Sequence, residues 1–389
     1  MKKLILPLCL ALFSMLSCEG DGTFLESDES AVSRLSSDSG SVPTSGGEPD
    51  NSGLITAGEW NDLENWDFWT GLITGNDFNQ MSAYWGIYTK NRFSIEVRDT
   101  NNNSVVDATV QLLLDNEVIW ESRTDNSGKA ELFADVFEDK MLEDIRRYRI
   151  AVNNSPIDKP LQTIENGVIK IETAASAAAT KTVELAFIVD ATGSMGDELE
   201  FLKDDLKSVI QKVKIQNQTI DIATSAVFYR DEGDDYVVRK SVFSKSIDAT
   251  LSFISKQSAG GGGDFPEAVH TALNTAVNDL QWSTTAKSRI AFLMLDAPPH
   301  YEEQVIDDLH NSIEQAAKKG IKIIPITASG IDKNTEFLMR FMSISTNGTY
   351  VFITNHSGIG EDHLAPTVGD YDVEYLNALM VRLISEYSE

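Results

Sequence analysis

The chain has 389 residues, 60 acidic against 32 basic side chains and a net charge of −28. That length suits two or three domains with a buried core. So acidic a surface repels nucleic acid and anionic lipid, which makes both poor partners, while it is compatible with binding divalent cations.

Both cysteines, Cys9 and Cys18, fall near the N-terminus. Lys2 and Lys3 precede an apolar run, Leu4–Leu16, that is too short to span a bilayer. Met15-Leu16-Ser17-Cys18 then resembles the bacterial lipobox, with Met15 where leucine is usual. The resemblance implies that residues 1–17 are a lipoprotein signal peptide and that Cys18 carries lipid. The mature chain would then have a single, acylated thiol and no disulfide, and would sit in the bacterial cell envelope, on the periplasmic side or the cell surface. Residues 18–56, rich in Ser, Gly, Asp and Glu, are expected to be a disordered acidic tether.

Residues 57–173 predict a small β-rich domain. Trp60, Leu63, Trp66 and Trp69 recur every three residues, which suits a short helix whose aromatic face packs into the core. Strands are expected at Phe93–Val97, Ala108–Leu114, Val118–Arg123, Ala130–Phe133, Tyr148–Val152 and Val168–Ile171, with turns rich in Asn, Asp and Gly between them. Phe93–Phe133 loosely resembles a carboxypeptidase-regulatory-like or prealbumin-like β-sandwich, through its Val97-Arg98-Asp99 strand end and Thr124-Asp125…Gly128 turn. That implies a stalk, and no catalytic or metal cluster stands out in it.

A small-residue linker, 174–181, leads to residues 182–389. The apolar run Leu185–Val189 predicts a buried parallel strand that delivers Asp190, Thr192 and Ser194 to its C-terminal lip. A helix follows, with Met195, Leu199, Leu202, Leu206, Val209, Ile210 and Val213 at helical spacing. Asp221–Arg230 and Tyr236–Phe243 predict a hairpin around Asp231-Glu232-Gly233-Asp234-Asp235, its second strand at the sheet edge. Beyond a short helix at Ile247–Ile254 comes the run Gly260–Gly263, then Asp264-Phe265-Pro266-Glu267. Pro266 is expected at the first position of a helix. Strand Arg289–Leu295 ends at Asp296, followed by helix Glu302–Lys319, strand Ile321–Ala328, helix Thr335–Ser343, strand Tyr350–Ile353 and helix Val373–Tyr387. Pro325 is awkward in a central strand. The alternation predicts an α/β fold: a doubly wound, mostly parallel sheet with helices on both faces, preceded by the small all-β sandwich.

Chain direction then gathers the loops. Parallel strands ending at Asp190, Arg230 and Asp296 finish at one end, and the Gly260–Asp264 loop lies there too. Asp190, Asp264, Asp296, Thr192 and Ser194 form an all-oxygen set, which suits Mg²⁺ first, with Mn²⁺ or Ca²⁺ as alternatives.

Asp190-Ala191-Thr192-Gly193-Ser194 fits D-x-S/T-x-S, the signature of a metal-ion-dependent adhesion site, and 182–389 resembles the von Willebrand factor type A domain. The resemblance implies that the two hydroxyls bind the ion directly, that Asp190 holds it through water, and that Asp296 is the third-loop aspartate. GGGGDFPE departs from the pattern by offering Asp264 where a threonine is expected. Asp264 would act through water, tighten the metal at the expense of acidic ligands, or merely cap the next helix. Arg230, Asp231 and His300 are expected on a partner-binding rim, Arg230 orienting an anion or forming a salt bridge. His270 is expected to be solvated.

The implied function is a binding module. A lipid-anchored envelope protein would use its cation to hold a protein ligand, through an acidic side chain of that ligand, in adhesion or assembly. It is not expected to be an enzyme. Two alternatives remain: a hydrolase, since Thr192-Gly193-Ser194-Met195-Gly196 half-resembles a nucleophile elbow, and a metal that only staples loops.

Overall fold

The computed structural model describes residues 53–389 apart from 76–77, 143, 175–179, 217 and 357–362. The lipobox with Cys18, nearly all of the expected tether and most of the linker lie outside the described residues. At its far end the tether is already packed: Ile55 is fully buried, and Gly53 N–H donates to Asp205 Oδ1 at 2.7 Å.

The first elements are β1 (Thr56–Trp60), α1 (Trp66–Thr74) and α2 (Asn79–Trp85), followed by β2 (Arg92–Asp99), β3 (Thr109–Leu114), β4 (Glu117–Arg123) and β5 (Lys129–Phe133). β6 (Tyr148–Val152), β7 (Ser155–Ile157) and β8 (Ile169–Thr173) complete the N-terminal part. Two small sheets result, ordered β5-β2-β8 and β4-β3-β6-β7. All the expected strands form. β7 was not expected, because three residues including Pro156 carry no alternation to read, and it lies at an edge where Pro is tolerated. The turn into β5 rests on Asp125, whose Oδ1 accepts from the N–H groups of Ser127 and Lys129. It needs Gly128, at φ +80°, because a Cβ there would lie 2.5 Å from the Val97 carbonyl.

The aromatic stripe is core but does not form one helix. Trp60 ends β1, the helix begins at Trp66, and only Trp69 is sealed completely. β1 itself belongs to neither small sheet. It pairs antiparallel with β14 (Tyr350–Ile353) and with β15 (Val373–Tyr375).

The larger sheet begins with β9 (Thr182–Asp190), which leads through a short turn into α3 (Gly196–Gln216) and back as β10 (Asp221–Tyr229). β11 (Val238–Lys240), α4 (Ile247–Ile254), α5 (Val269–Asn274), β12 (Ser288–Leu295), α6 (Glu303–Lys319), β13 (Ile321–Thr327), α7 (Lys333–Ser345) and α8 (Leu376–Glu386) supply the rest. Its order is β11-β10-β9-β12-β13-β14-β1-β15. β10, β9, β12, β13 and β14 are parallel, and β11 is the antiparallel edge that the hairpin reading required. β9, β12 and β13 are buried almost throughout, as strands covered on both faces must be. Pro325 pairs with Leu293 of β12, and it is accommodated because the ladder from β13 to β14 begins only at Ile326, where no bond calls on the missing N–H.

Two helix expectations are corrected. The helix after the glycine run starts at Val269, not at Pro266, and passes into a π-turn at Thr275–Asp279. Pro266-Glu267 instead runs alongside the third loop, where Glu267 N–H donates to the Pro298 carbonyl at 2.9 Å. At the C-terminus, Val373–Tyr375 is strand, because β1 offers it an edge that no local periodicity reveals.

The N-terminal part is docked onto the larger sheet, and a single apolar core runs from Phe93, Leu112 and Trp120 into Ile188, Leu293 and Phe341. Trp69 stacks on Phe337 of α7 at 5.4 Å, and Trp85 Nε1 donates to the Asn334 carbonyl. A buried ion pair closes the seam: Arg340 donates through Nε and Nη2 to Asp62 at 2.8 and 2.6 Å, both side chains wholly buried. A second core fills the opposite face, under α3, α4 and α8.

Candidate functional site

β9 lies at the point where the chain first steps one way, to β10, and then the other, to β12. Connections diverge there, leaving a crevice at the strand C-termini. Asp190 ends β9 in register with Tyr229 on β10, and Asp296 follows directly after β12.

The first loop is folded around Asp190. Its Oδ1 accepts from the Thr192 N–H at 2.8 Å and the Thr192 hydroxyl at 2.7 Å, so the carboxylate acts as a turn cap. The Thr192 and Ser194 hydroxyl oxygens lie 3.2 Å apart, with Thr192 buried and Ser194 exposed. Asp190 Oδ2 is sealed from solvent and completes no hydrogen bond of good geometry, although the Tyr229 phenol lies close enough to favour its charged form slightly. Burial and then the Asp296 carboxylate push the Asp190 pKa up to about 7.

The glycine-rich loop is laid against the first by backbone bonds. Gly260 N–H donates to the Ala191 carbonyl and Gly193 N–H to the Gly261 carbonyl, each at 3.1 Å. Gly261 and Gly262 have φ of +77° and +71°, and a Cβ on Gly261 would lie 2.2 Å from Asp234 Oδ2. Only glycine permits that conformation and that approach.

The sequence-expected residues separate into those the fold gathers and those it does not. Asp190, Thr192 and Ser194 lie together on the first loop, and Asp296 is close enough to Asp190 to act on its charge. Asp264 is exposed on the second loop and makes no hydrogen bond or ion pair among the described residues. Arg230 is buried and spent internally: Nε donates to the Ala191 carbonyl at 3.2 Å, Nη2 to the Ser258 carbonyl at 2.9 Å, and the guanidinium lies over Tyr236. Asp231 is buried against His300, whose Nε2 lies 2.7 Å from Asp231 Oδ1. His270 is not solvated but 8% exposed, and burial lowers its pKa.

Glu267 lies outside the set of site residues that the sequence pattern offers. It is 3% exposed, and burial followed by Asp190, Asp231, Asp296 and Asp234 pushes its pKa up to about 9. Its place after Pro266 is visible in the sequence, but only its bridge to Pro299, across the third loop, distinguishes it from Asp264.

Because Arg230 clasps the first two loops together, Arg230→Met should cost about 1.5–3 kcal/mol, the range for hydrogen bonds to a charged group. Urea unfolding would read this as a lower midpoint with an unchanged slope. An unchanged midpoint would mean that the loops hold without it.

The oxygen-only chemistry of this end suits a hard cation, and the crowded carboxylates with a partnerless Asp190 oxygen are what such an ion would relieve. Among the described residues, no three His, Cys, Asp or Glu side chains form a metal cage on their own. A cation here would therefore depend on the hydroxyls of Thr192 and Ser194.

Residues 184–360 match the von Willebrand factor A domain family. The chain is 37% identical over 133 residues to an ariadne-like RING finger protein of Acanthamoeba polyphaga mimivirus, covering 34% of this chain and 12% of that protein. It is 28% identical over 175 residues to the alpha-protein kinase vwkA of Dictyostelium discoideum, covering 44% and 27%. The chain thus spans well under a third of either curated relative. Among solved structures, BatB of Bacteroides thetaiotaomicron aligns with a TM-score of 0.38 and 13% identity, over 53% of this chain and 98% of that one. An aerotolerance-related membrane protein of Bacteroides fragilis aligns with a TM-score of 0.34 and 12% identity, over 52% and 99%.

Proposed function

Given that residues 184–360 form a von Willebrand factor A domain, we propose that this protein binds a divalent cation, Mg²⁺ first, and uses it to hold a protein partner. The observation that carries the reading is the joining of Asp190, Thr192 and Ser194 in one hydrogen-bonded turn facing the Asp296 loop. Thr192, Ser194, Asp190 and Asp296 would hold the ion, which supplies a Lewis-acidic position for an oxygen donor of the partner. The chain's own residues shape what can approach. Phe265 on the glycine-rich loop and Tyr301, five residues after Asp296, are exposed, and Tyr301 stacks on Tyr84 at 3.7 Å. Exposed aromatics around a polar centre are the composition of a protein-binding patch. The same features favour a binding module over a hydrolase: His300, the histidine nearest these loops in sequence, is engaged with Asp231 and makes no bond to Ser194.

Mg²⁺ should raise the melting temperature of the full chain, and EDTA should reverse the rise. At one hundred times the dissociation constant, the gain is about 2.7 kcal/mol. A captured protein partner should be released by the same EDTA. Stabilisation without metal-dependent capture would favour the loop staple, and absence of any shift would remove the metal.

The lipid anchor is proposed from the lipobox alone, and with it a place in the bacterial envelope. Cys18→Ser should move the protein from the membrane fraction to the soluble one. Unchanged fractionation would dismiss the anchor.

A further inference from the structure

We infer that Glu267, rather than Asp264, is the side chain through which the glycine-rich loop reaches the cation; this rests on the metal-binding reading above. Glu267 is placed there by its backbone. Its N–H donates to the Pro298 carbonyl at 2.9 Å, and it forms a parallel bridge with Pro299, so it is pinned to the segment just after Asp296. Its side chain then turns toward the first loop. A Cβ built on Gly262 would lie 2.8 Å from Glu267 Oε1 and 3.3 Å from the Thr192 Cβ, so Glu267 and Thr192 flank the same point of the glycine loop. The positive φ of Gly262 and its missing side chain are what leave room for both.

The charge around Glu267 is unbalanced. Its Oε2 is sealed from solvent and has no hydrogen-bond partner. The strongest charge effects on it come from carboxylates: Asp190, Asp231, Asp296 and Asp234. The guanidinium of Arg230, which joins the same loops, is committed to the Ala191 and Ser258 carbonyls. A buried carboxyl is normally paired with a cation or held by donors, and this one has neither among the described residues. A bound cation is the counter-charge that its position calls for, and a hard dication takes carboxylate oxygen readily. Asp264 faces the opposite situation. It is exposed, three residues earlier, and held by nothing that would aim it inward.

The test titrates the full chain with Mg²⁺ by calorimetry and with Mn²⁺ by electron paramagnetic resonance, which counts free ion directly. Four proteins are compared: wild type, Glu267→Gln, Asp264→Asn and Asp190→Ala. Glu267→Gln should weaken binding of both ions about 10-fold or more, whereas Asp264→Asn should change it less than twofold. Glutamine keeps the shape of glutamate and removes only the charge. A melt in EDTA no lower than that of the wild type would show that lost affinity is not lost folding. Wild-type affinity in Glu267→Gln, or a 10-fold loss in Asp264→Asn, overturns the assignment. If Asp190→Ala also binds as the wild type does, the metal reading itself is gone. If Asp190→Ala loses the ion and Glu267→Gln keeps it, only the role of Glu267 is withdrawn.

Discussion

Asp62→Ala should destabilise the protein by about 3–5 kcal/mol, the penalty for stripping one partner from a buried ion pair. Arg340 would be left charged in the seam between the N-terminal part and α7. Burial works against that charge, but the Asp62 carboxylate, with help from Glu336, holds the guanidinium pKa above its usual value. Glu336, to which Arg340 Nη1 already donates, should replace Asp62 only in part. It is 3.4 Å from Arg340 and already accepts from Lys333 and from the Thr367 N–H. Trp69 and Phe78 flank the guanidinium with centroids 5.3 and 5.4 Å away, leaving water no path to it. Against a total stability of about 5–15 kcal/mol, a loss of this size is severe. Urea unfolding would show it as a large fall in midpoint. The double replacement Asp62→Leu with Arg340→Met should recover only part of the loss, because Glu336 and the Thr367 carbonyl then lose the guanidinium and Trp60 Nε1 loses its acceptor. A single variant as stable as the wild type would mean that the seam opens to water and the pair contributes little.

Asp190→Asn should act in opposite directions with and without metal. Asparagine keeps an oxygen to accept from the Thr192 N–H and hydroxyl, so the loop can retain its turn. In EDTA the substitution removes a buried carboxylate oxygen that completes no hydrogen bond and that faces the charge of Asp296. The ion-free variant should therefore gain about 1–3 kcal/mol over ion-free wild type. In saturating Mg²⁺ the order should invert, because the variant forgoes the stabilisation that the ion gives the wild type. Thermal melts of both proteins in both buffers give the four numbers required. An Mg²⁺-induced rise in the variant as large as that in the wild type would show that Asp190 does not serve the ion. Destabilisation in EDTA would show that its charge is balanced within the protein.

The layout of this end of the molecule was legible before any coordinates. An apolar run such as Leu185–Val189 reads as a strand buried on both faces, and such a strand must be central. Chain direction then sends the ends of β9 and β12 to one lip, and the pairing of these two strands makes Asp190 and Asp296 neighbours. The acid of the second loop was a different problem. Asp264 and Glu267 both follow the glycines, and each has a local reading that suits a helix start. What separates them is the bridge from Glu267 to Pro299, formed with residues more than thirty positions away. The seam was hidden for the same reason. Asp62 and Arg340 are 278 residues apart, and neither is unusual among its immediate neighbours.

Apart from β1, β7, the start of α5 and β15, sequence alone determined which residues form strands and helices, and at which end of the sheet the hydroxyls and acids emerge. Those follow from periodicity and direction, which a short window of chain contains. Only the tertiary structure decided which acids are sealed from water, that Arg230 ties loops together instead of facing a partner, and that the N-terminal β-rich part is clamped to the larger sheet. Each of these depends on which distant surfaces are buried against one another. Burial of a charge is a property of the whole packed assembly, not of the few residues on either side of it.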